Sequence, residues 1–319
     1  MYYKNTLCLL IIVTIMLFSQ CKSSHVSISR KAKSTYNFIR ITNLSEKTFN
    51  KLLTNPKRNQ KHFNIKRFNK KLSITKHESS GFSALTICNQ TPSNKHIIYF
   101  HGGAYFAEAT KSHRKLIEKI CLTYNYKVSF IKYPLAPENE AAFTHKVTNE
   151  LYQIIQKKYP DDVFILMGDS AGGGLALAFL QTLVSENHQN IPNKTVLLSP
   201  WLDVEMSNPE ITDYIEKDVL LNLDGLIKCG QIYAGKLPTK DPQVSPIYGN
   251  MNNLGEIKVF VSTHELFYPD CQRLKSKILQ AEGSSCDMTV MNNMIHDWII
   301  FPFDESEQCL EEIHQFIEN

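Results

Sequence analysis

The stretch Val163-Phe164-Ile165-Leu166-Met167-Gly168-Asp169-Ser170-Ala171-Gly172-Gly173-Gly174-Leu175-Ala176-Leu177-Ala178-Phe179-Leu180 decides the reading of this chain. Its first five residues are apolar, as in a short strand buried on both faces. Its last six are apolar and mostly helix formers. Between them Gly168, Ser170 and Gly172 form a G-x-S-x-G turn, whose small residues let the chain reverse sharply and lift the serine hydroxyl above the sheet. The string alone is common, but strand, turn and helix in this order are the setting in which such a serine acts as a nucleophile. The helix that follows brings its positive dipole end beneath any oxyanion formed there.

Outward from this point, strands and helices alternate from Phe82 onward. Short apolar runs flanked by turn residues predict strands at 82–88, 96–100, 128–132, 163–167, 195–198, 257–263 and 288–291. Helical patterns fall between them at 111–124, 141–159, 171–187, 270–282 and 305–318. Such alternation predicts an α/β fold, a mostly parallel sheet covered by helices on both faces. Residues 201–255 interrupt it with Pro, Asn, Asp and Gly and a helical piece at 224–234, which reads as a helical cap inserted into a catalytic domain spanning 81–319. Ahead of it, residues 22–80 read as a Ser- and Lys-rich tether followed by a helical cap region from Thr35 to about Lys76.

The remaining chemistry can be placed by chain order. The strand at 96–100 runs into His101-Gly102-Gly103-Ala104-Tyr105, a bend whose backbone N–H groups can face a ligand. Gly102, Gly103 and Ala171 are the expected oxyanion donors. His101 precedes the nucleophile and is read as fixing this loop, because in this architecture the base comes last. That leaves His296, in the loop between the last strand and Asp297-Trp298, since His264 ends a strand and His314 lies in the closing helix. For the acid, Glu265 stands two residues past the strand at 257–263 and is favoured; Asp270, after Pro269, is the alternative and otherwise a helix cap.

These motifs resemble the hormone-sensitive lipase family of esterases. The likeness runs from about residue 82 to 317 through His101-Gly102-Gly103, Tyr133-Pro134-Leu135-Ala136-Pro137-Glu138, Gly168-Asp169-Ser170-Ala171-Gly172-Gly173, Ser199-Pro200-Trp201 and His296. It implies the α/β-hydrolase fold and an esterase acting on short acyl chains, with the glycine loop as oxyanion hole and the amino-terminal helices helping to build a lid. Ala104 stands where that family often has a third Gly, and 265–270 departs from its Asp-Pro-Leu-x-Asp pattern. An amidase, formamidase or lactonase would use the same triad, and a non-catalytic binding protein could be built on the same scaffold. The presence of His296 argues against the latter.

Composition narrows the partners. In 319 residues, 35 Lys and Arg face 31 Asp and Glu, a formal charge of +4. The excess gathers at 51–76, which holds Lys51, Arg58 and Lys66 among others and no acid. Interleaved Leu52, Phe63 and Phe68 make this a solvated helical side of the protein in preference to a nucleic-acid site. None of the eight Cys has metal-ligand spacing, so neither a metal nor an organic cofactor is expected. At the amino terminus, Lys4 precedes the uncharged run Leu7 to Phe18, of signal-peptide length. It ends at Phe18-Ser19-Gln20-Cys21, similar to a bacterial lipoprotein signal although Gln20 is larger than usual there. The expectation is a signal peptide over 1–21, export, and a lipid anchor at Cys21.

Overall fold

The computed structural model describes residues 28–42, 44–58 and 60–319. The expected signal peptide and Cys21 lie outside the described residues. The elements in order are α1 (Arg30–Thr42), α2 (Leu44–Thr54), β1 (Ser73–Ser79), β2 (Phe82–Cys88), β3 (Lys95–Phe100), α3 (Lys111–Thr123), β4 (Lys127–Lys132), α4 (Ala141–Lys158), β5 (Val163–Asp169), α5 (Ala171–Ser185), β6 (Lys194–Leu198), α6 (Leu223–Ala234), β7 (Gly255–Ser262), α7 (Tyr268–Ile278), β8 (Ser284–Met291) and α8 (Asp304–Glu318). They form one eight-stranded sheet of order β1-β2-β4-β3-β5-β6-β7-β8. β1 with β2 and β2 with β4 are antiparallel, and every later pair is parallel.

Strand residues alternate between two cores, as the period of two requires. In β3, Ile97 and Tyr99 join α3 and α8 on one face, whereas Ile98 and Phe100 join α4, α5 and α7 on the other. α3 is amphipathic, burying Leu116, Ile117, Ile120 and Cys121, and begins at a capping box made by Thr110 and His113. α5 is apolar almost all round because it is covered twice, by the sheet and by the segment between β6 and β7. Gln181 of α5, for example, donates to the Pro246 carbonyl of that segment.

The region 35–76 is not helical throughout, as the sequence suggested. It contains α1, α2 and two short 3-10 turns and then enters the edge strand β1. β1 lacks a continuous apolar run because only His77 along it is buried. Ser80 and Gly81, with φ of +50° and +80°, close the hairpin to β2 as a two-residue turn.

The close approach of α5 to the sheet is set by glycine. A Cβ on Gly172 would lie 2.2 Å from the Phe100 carbonyl oxygen of β3, and one on Gly168 would lie 2.2 Å from the Gly172 carbonyl oxygen. Both contacts are backbone, so no side-chain rotation can relieve them. Gly172→Ala should therefore lower stability by roughly 3 kcal/mol in urea unfolding, at the upper end of overpacking effects. An unchanged midpoint would show that α5 can move away from β3.

Candidate active site

Ser170 occupies the turn between β5 and α5 with φ +51° and ψ −120°, a backbone that L residues rarely adopt and that costs about 1–3 kcal/mol. The neighbouring chain holds it there. The Ser170 N–H donates to the Leu198 carbonyl at 2.8 Å, and the Ser170 carbonyl accepts from Trp201 at 2.9 Å. β6 and the Ser199-Pro200-Trp201 segment thus fix both sides of the serine.

His296 reaches the site from the loop after β8. Its Nε2 lies 2.9 Å from the Ser170 hydroxyl and its Nδ1 lies 2.7 Å from Glu265 Oε2. Glu265, fully buried just past β7, accepts through Oε1 from the Ser199 hydroxyl and the Ser262 N–H, both at 2.8 Å. Burial pushes the Glu265 carboxyl up and the His296 contact pulls it back. A carboxylate at Nδ1 fixes that nitrogen as a donor and turns Nε2 toward Ser170. A second carboxylate also reaches the ring, since Asp297 Oδ2 is 3.2 Å from Nε2. Burial opposes the imidazolium, but Asp297 and Glu265 together hold the His296 pKa well above its ordinary value.

The other acid named from sequence is not in this group. Asp270 lies in the first turn of α7, where its Oδ1 accepts from Asn208 at 3.1 Å. It is buried, with its pKa raised to about 6 by desolvation, and it is not the helix cap expected from sequence, since Phe267 holds that position with no side-chain cap bond. Its carboxylate makes no contact with His296.

The glycine loop also needs one correction. The Gly102 N–H donates to Asp169 Oδ2 at 2.8 Å and is not free for an oxyanion. The N–H groups of Gly103, Ala104 and Ala171 have no hydrogen-bond partner among the described residues. Ala104 and Tyr105, with φ of +52° and +62°, continue the left-handed bend that starts at Gly103. His101 is a packing residue here: its ring stacks on Tyr133 at 4.6 Å, its Nδ1 donates to the Gly102 carbonyl at 2.7 Å, and burial lowers its pKa to about 4.

Asp169, which the sequence reading passed over, is the hub of this loop. Besides Gly102, it accepts from the Tyr99 hydroxyl at 2.6 Å and from His113 Nε2 at 3.0 Å. The Thr110 N–H donates to His113 Nδ1 at 2.9 Å, so the ring carries its proton on Nε2. Burial works against the Asp169 charge, but His113 and Tyr99 hold its pKa below the usual carboxylate value. The available signal was position: the residue before the nucleophile lies beneath it at the end of a strand. Among the described residues, no cluster of three or more His, Cys, Asp or Glu could hold a metal ion.

Comparison with known proteins agrees with this architecture. A family model described as alpha/beta hydrolase fold matches residues 97–300. An esterase of Acinetobacter venetianus is 28% identical over 71% of this chain and 76% of its own. An acetyl-hydrolase of Streptomyces hygroscopicus is 27% identical over 63% of this chain and 67% of its own. A solved hormone-sensitive lipase from a metagenome library superimposes with a TM-score of 0.76 at 22% identity, covering 92% of this chain and 98% of that one.

Asp169→Asn places an amide N–H where three donors converge. It should lower stability by about 2–3 kcal/mol, as an unsatisfied buried group does. Turnover of an activated ester should fall roughly 10²-fold through displacement of the loop. Wild-type turnover in the folded variant would show that the loop keeps its shape without the charge.

Proposed function

The chain belongs to the alpha/beta hydrolase fold family and is a carboxylesterase-type enzyme, and from that premise we propose that it cleaves short-chain acyl or acetyl esters through an acyl-enzyme on Ser170. The observation that carries this reading is the unbroken contact line from the Ser170 hydroxyl through His296 to Glu265, at 2.9 and 2.7 Å. Ser170 Oγ bonds to the acyl carbon as its proton passes to His296 Nε2. That proton then goes to the oxygen of the leaving alcohol. Water repeats the sequence on the acyl-enzyme and restores Ser170. The negative oxygen of each tetrahedral intermediate is received by the N–H groups of Gly103, Ala104 and Ala171. Ser170 and His296 are only 5% and 3% exposed, so these donors act in a low dielectric where they are worth most. The short-chain preference draws support from the acetyl-hydrolase relative.

The reading extends to the cell envelope. The protein is exported and held at a membrane through lipid on Cys21, a placement supported by the apolar run Leu7 to Phe18. α1, close behind Cys21 in sequence, leaves Phe38 and Ile41 64% and 84% exposed.

Two experiments test these statements. Ser170→Ala should lose covalent labelling by a fluorophosphonate and at least about 10⁴-fold in turnover of p-nitrophenyl esters. Glu265→Gln should lose up to about 10⁴-fold while Asp270→Asn stays active. Labelling that persists in Ser170→Ala, or an inactive but folded Asp270→Asn beside an active Glu265→Gln, would reassign the roles. In fractionated native cells the protein should sediment with membranes, and Cys21→Ser should release it. Full-length unmodified protein in the cytosol would refute the anchor.

A further inference from the structure

Asp297 follows His296 directly and has no role in the reading above. Its backbone sits at φ +55° and ψ +31°, a left-handed conformation uncommon outside glycine. Its N–H is directed at the Ser199 hydroxyl at 3.4 Å. The carboxylate lies 3.2 Å from His296 Nε2, the nitrogen that also meets the Ser170 hydroxyl, and the side chain is only 10% exposed. Its second oxygen, Oδ1, is buried with no hydrogen-bond partner among the described residues.

A carboxylate facing a bare ring lone pair at this distance is repulsive. Two arrangements remove the repulsion. Either Nε2 is protonated, which turns the contact into an ion pair, or Asp297 is protonated, which removes its charge. The first places a proton on the atom that must be empty to receive the proton of Ser170, and the negative Asp297 beside it favours that state.

We propose that Asp297 is a positioning residue for the proton of the base: it holds a proton at His296 Nε2 in the resting enzyme, which must leave to solvent before Ser170 can be activated. This rests on the reading of Ser170 and His296 as nucleophile and base. The groups facing Asp297 favour retention of the proton. Glu265 beyond β7 and Asp169 at the end of β5 are both negative toward it, and Tyr99 of β3 and His113 of α3, both bonded to Asp169, also feel the charge of Asp297. Burial, opposed by His296 and aided by Asp169 and Glu265, raises the Asp297 pKa to about 7. Since the protonated unit is the inactive one, a raised pKa moves the onset of activity to higher pH. Removing the Asp297 charge moves it down.

The test is the pH dependence of kcat/KM on a p-nitrophenyl ester, with the rate of fluorophosphonate labelling measured in parallel. The wild type should rise with a midpoint above the ordinary imidazole value of about 6.5. Asp297→Asn and Asp297→Ala should shift that midpoint down by about one unit or more. The ratio of activity below the midpoint to that on the plateau then grows about tenfold per unit. A packing role alone would lower activity at all pH values and leave the midpoint in place. An unmoved midpoint in the folded variants overturns the proposal. Should neither variant fold, a wild-type midpoint at or below 6.5 overturns it. A wild type that is not labelled at any pH, or labelling that survives Ser170→Ala, would overturn the triad reading as well; a labelled wild type with unmoved midpoints removes the Asp297 role alone.

Discussion

A buried negative charge must be matched by donors, and in this protein meeting that demand organises the site. Asp169 is completely buried, and its partners come from two stretches of chain: Tyr99 on β3 with Gly102 in the loop that follows it, and His113 on α3. Each partner is therefore fixed by a strong, charge-assisted bond and not by loose packing. The loop that carries Gly103 and Ala104 is pinned at Gly102, so its remaining N–H groups are aimed before any substrate arrives. The same close approach makes Gly102 obligatory, since a Cβ there would lie 2.3 Å from Asp169 Oδ2. Asp169 immediately precedes Ser170, and the strained turn and the glycine loop consequently share one anchor.

The parts of this architecture legible in the sequence are those written in local patterns. The strands β2 to β8 and the helices between them follow from apolar runs and their periods, and Ser170 follows from the elbow. Glu265 and His296 could be named by chain order, and the structure brings both to Ser170. Harder to read were features set by tertiary contact. β1 is an edge strand with a mostly polar surface, so no apolar run marks it. Asp169 looks in sequence like a filler of the G-x-S-x-G string, because its donors lie 56 to 70 residues away. Gly102 shows the reverse error: a glycine in a ligand-facing loop whose N–H is taken by a side chain that sequence order does not reveal.

The basic run at 51–76 is another case in which composition described the surface and concealed a contact. Arg58, within that run, donates to the backbone carbonyls of Phe106 and Ala136 and pairs with Glu138. A guanidinium can satisfy several carbonyls at once, and here it ties the amino-terminal segment to the far side of the glycine loop. α2 is fastened on another side, where Phe49 packs directly over Gly225 of α6. Tyr233 of α6 in turn stacks on Tyr105 of the glycine loop with ring centres 3.6 Å apart. The amino-terminal helices, the segment between β6 and β7 and the glycine loop are thus one packed layer. A change in either covering segment reaches the reactive groups through rigid contacts, and this is where substrate selection would be encoded on a common scaffold.

The proton economy proposed for the site follows from how unequally its two carboxylates are satisfied. Glu265 receives hydrogen bonds from His296, Ser199 and Ser262, so its charge is compensated and it remains a fixed acceptor for Nδ1. Asp297 has the imidazole at 3.2 Å and one buried oxygen with no hydrogen-bond partner, so its charge is stabilised by the ring alone. When two acids share one imidazole, the less compensated of them takes up the proton first. Glu265 can orient the base through its hydrogen bonds, while Asp297 acts on the charge of the ring. Separating orientation from proton retention in this way lets the base stay in register with Ser170 in both protonation states. Catalysis then waits on the loss of a proton and not on a rearrangement of side chains.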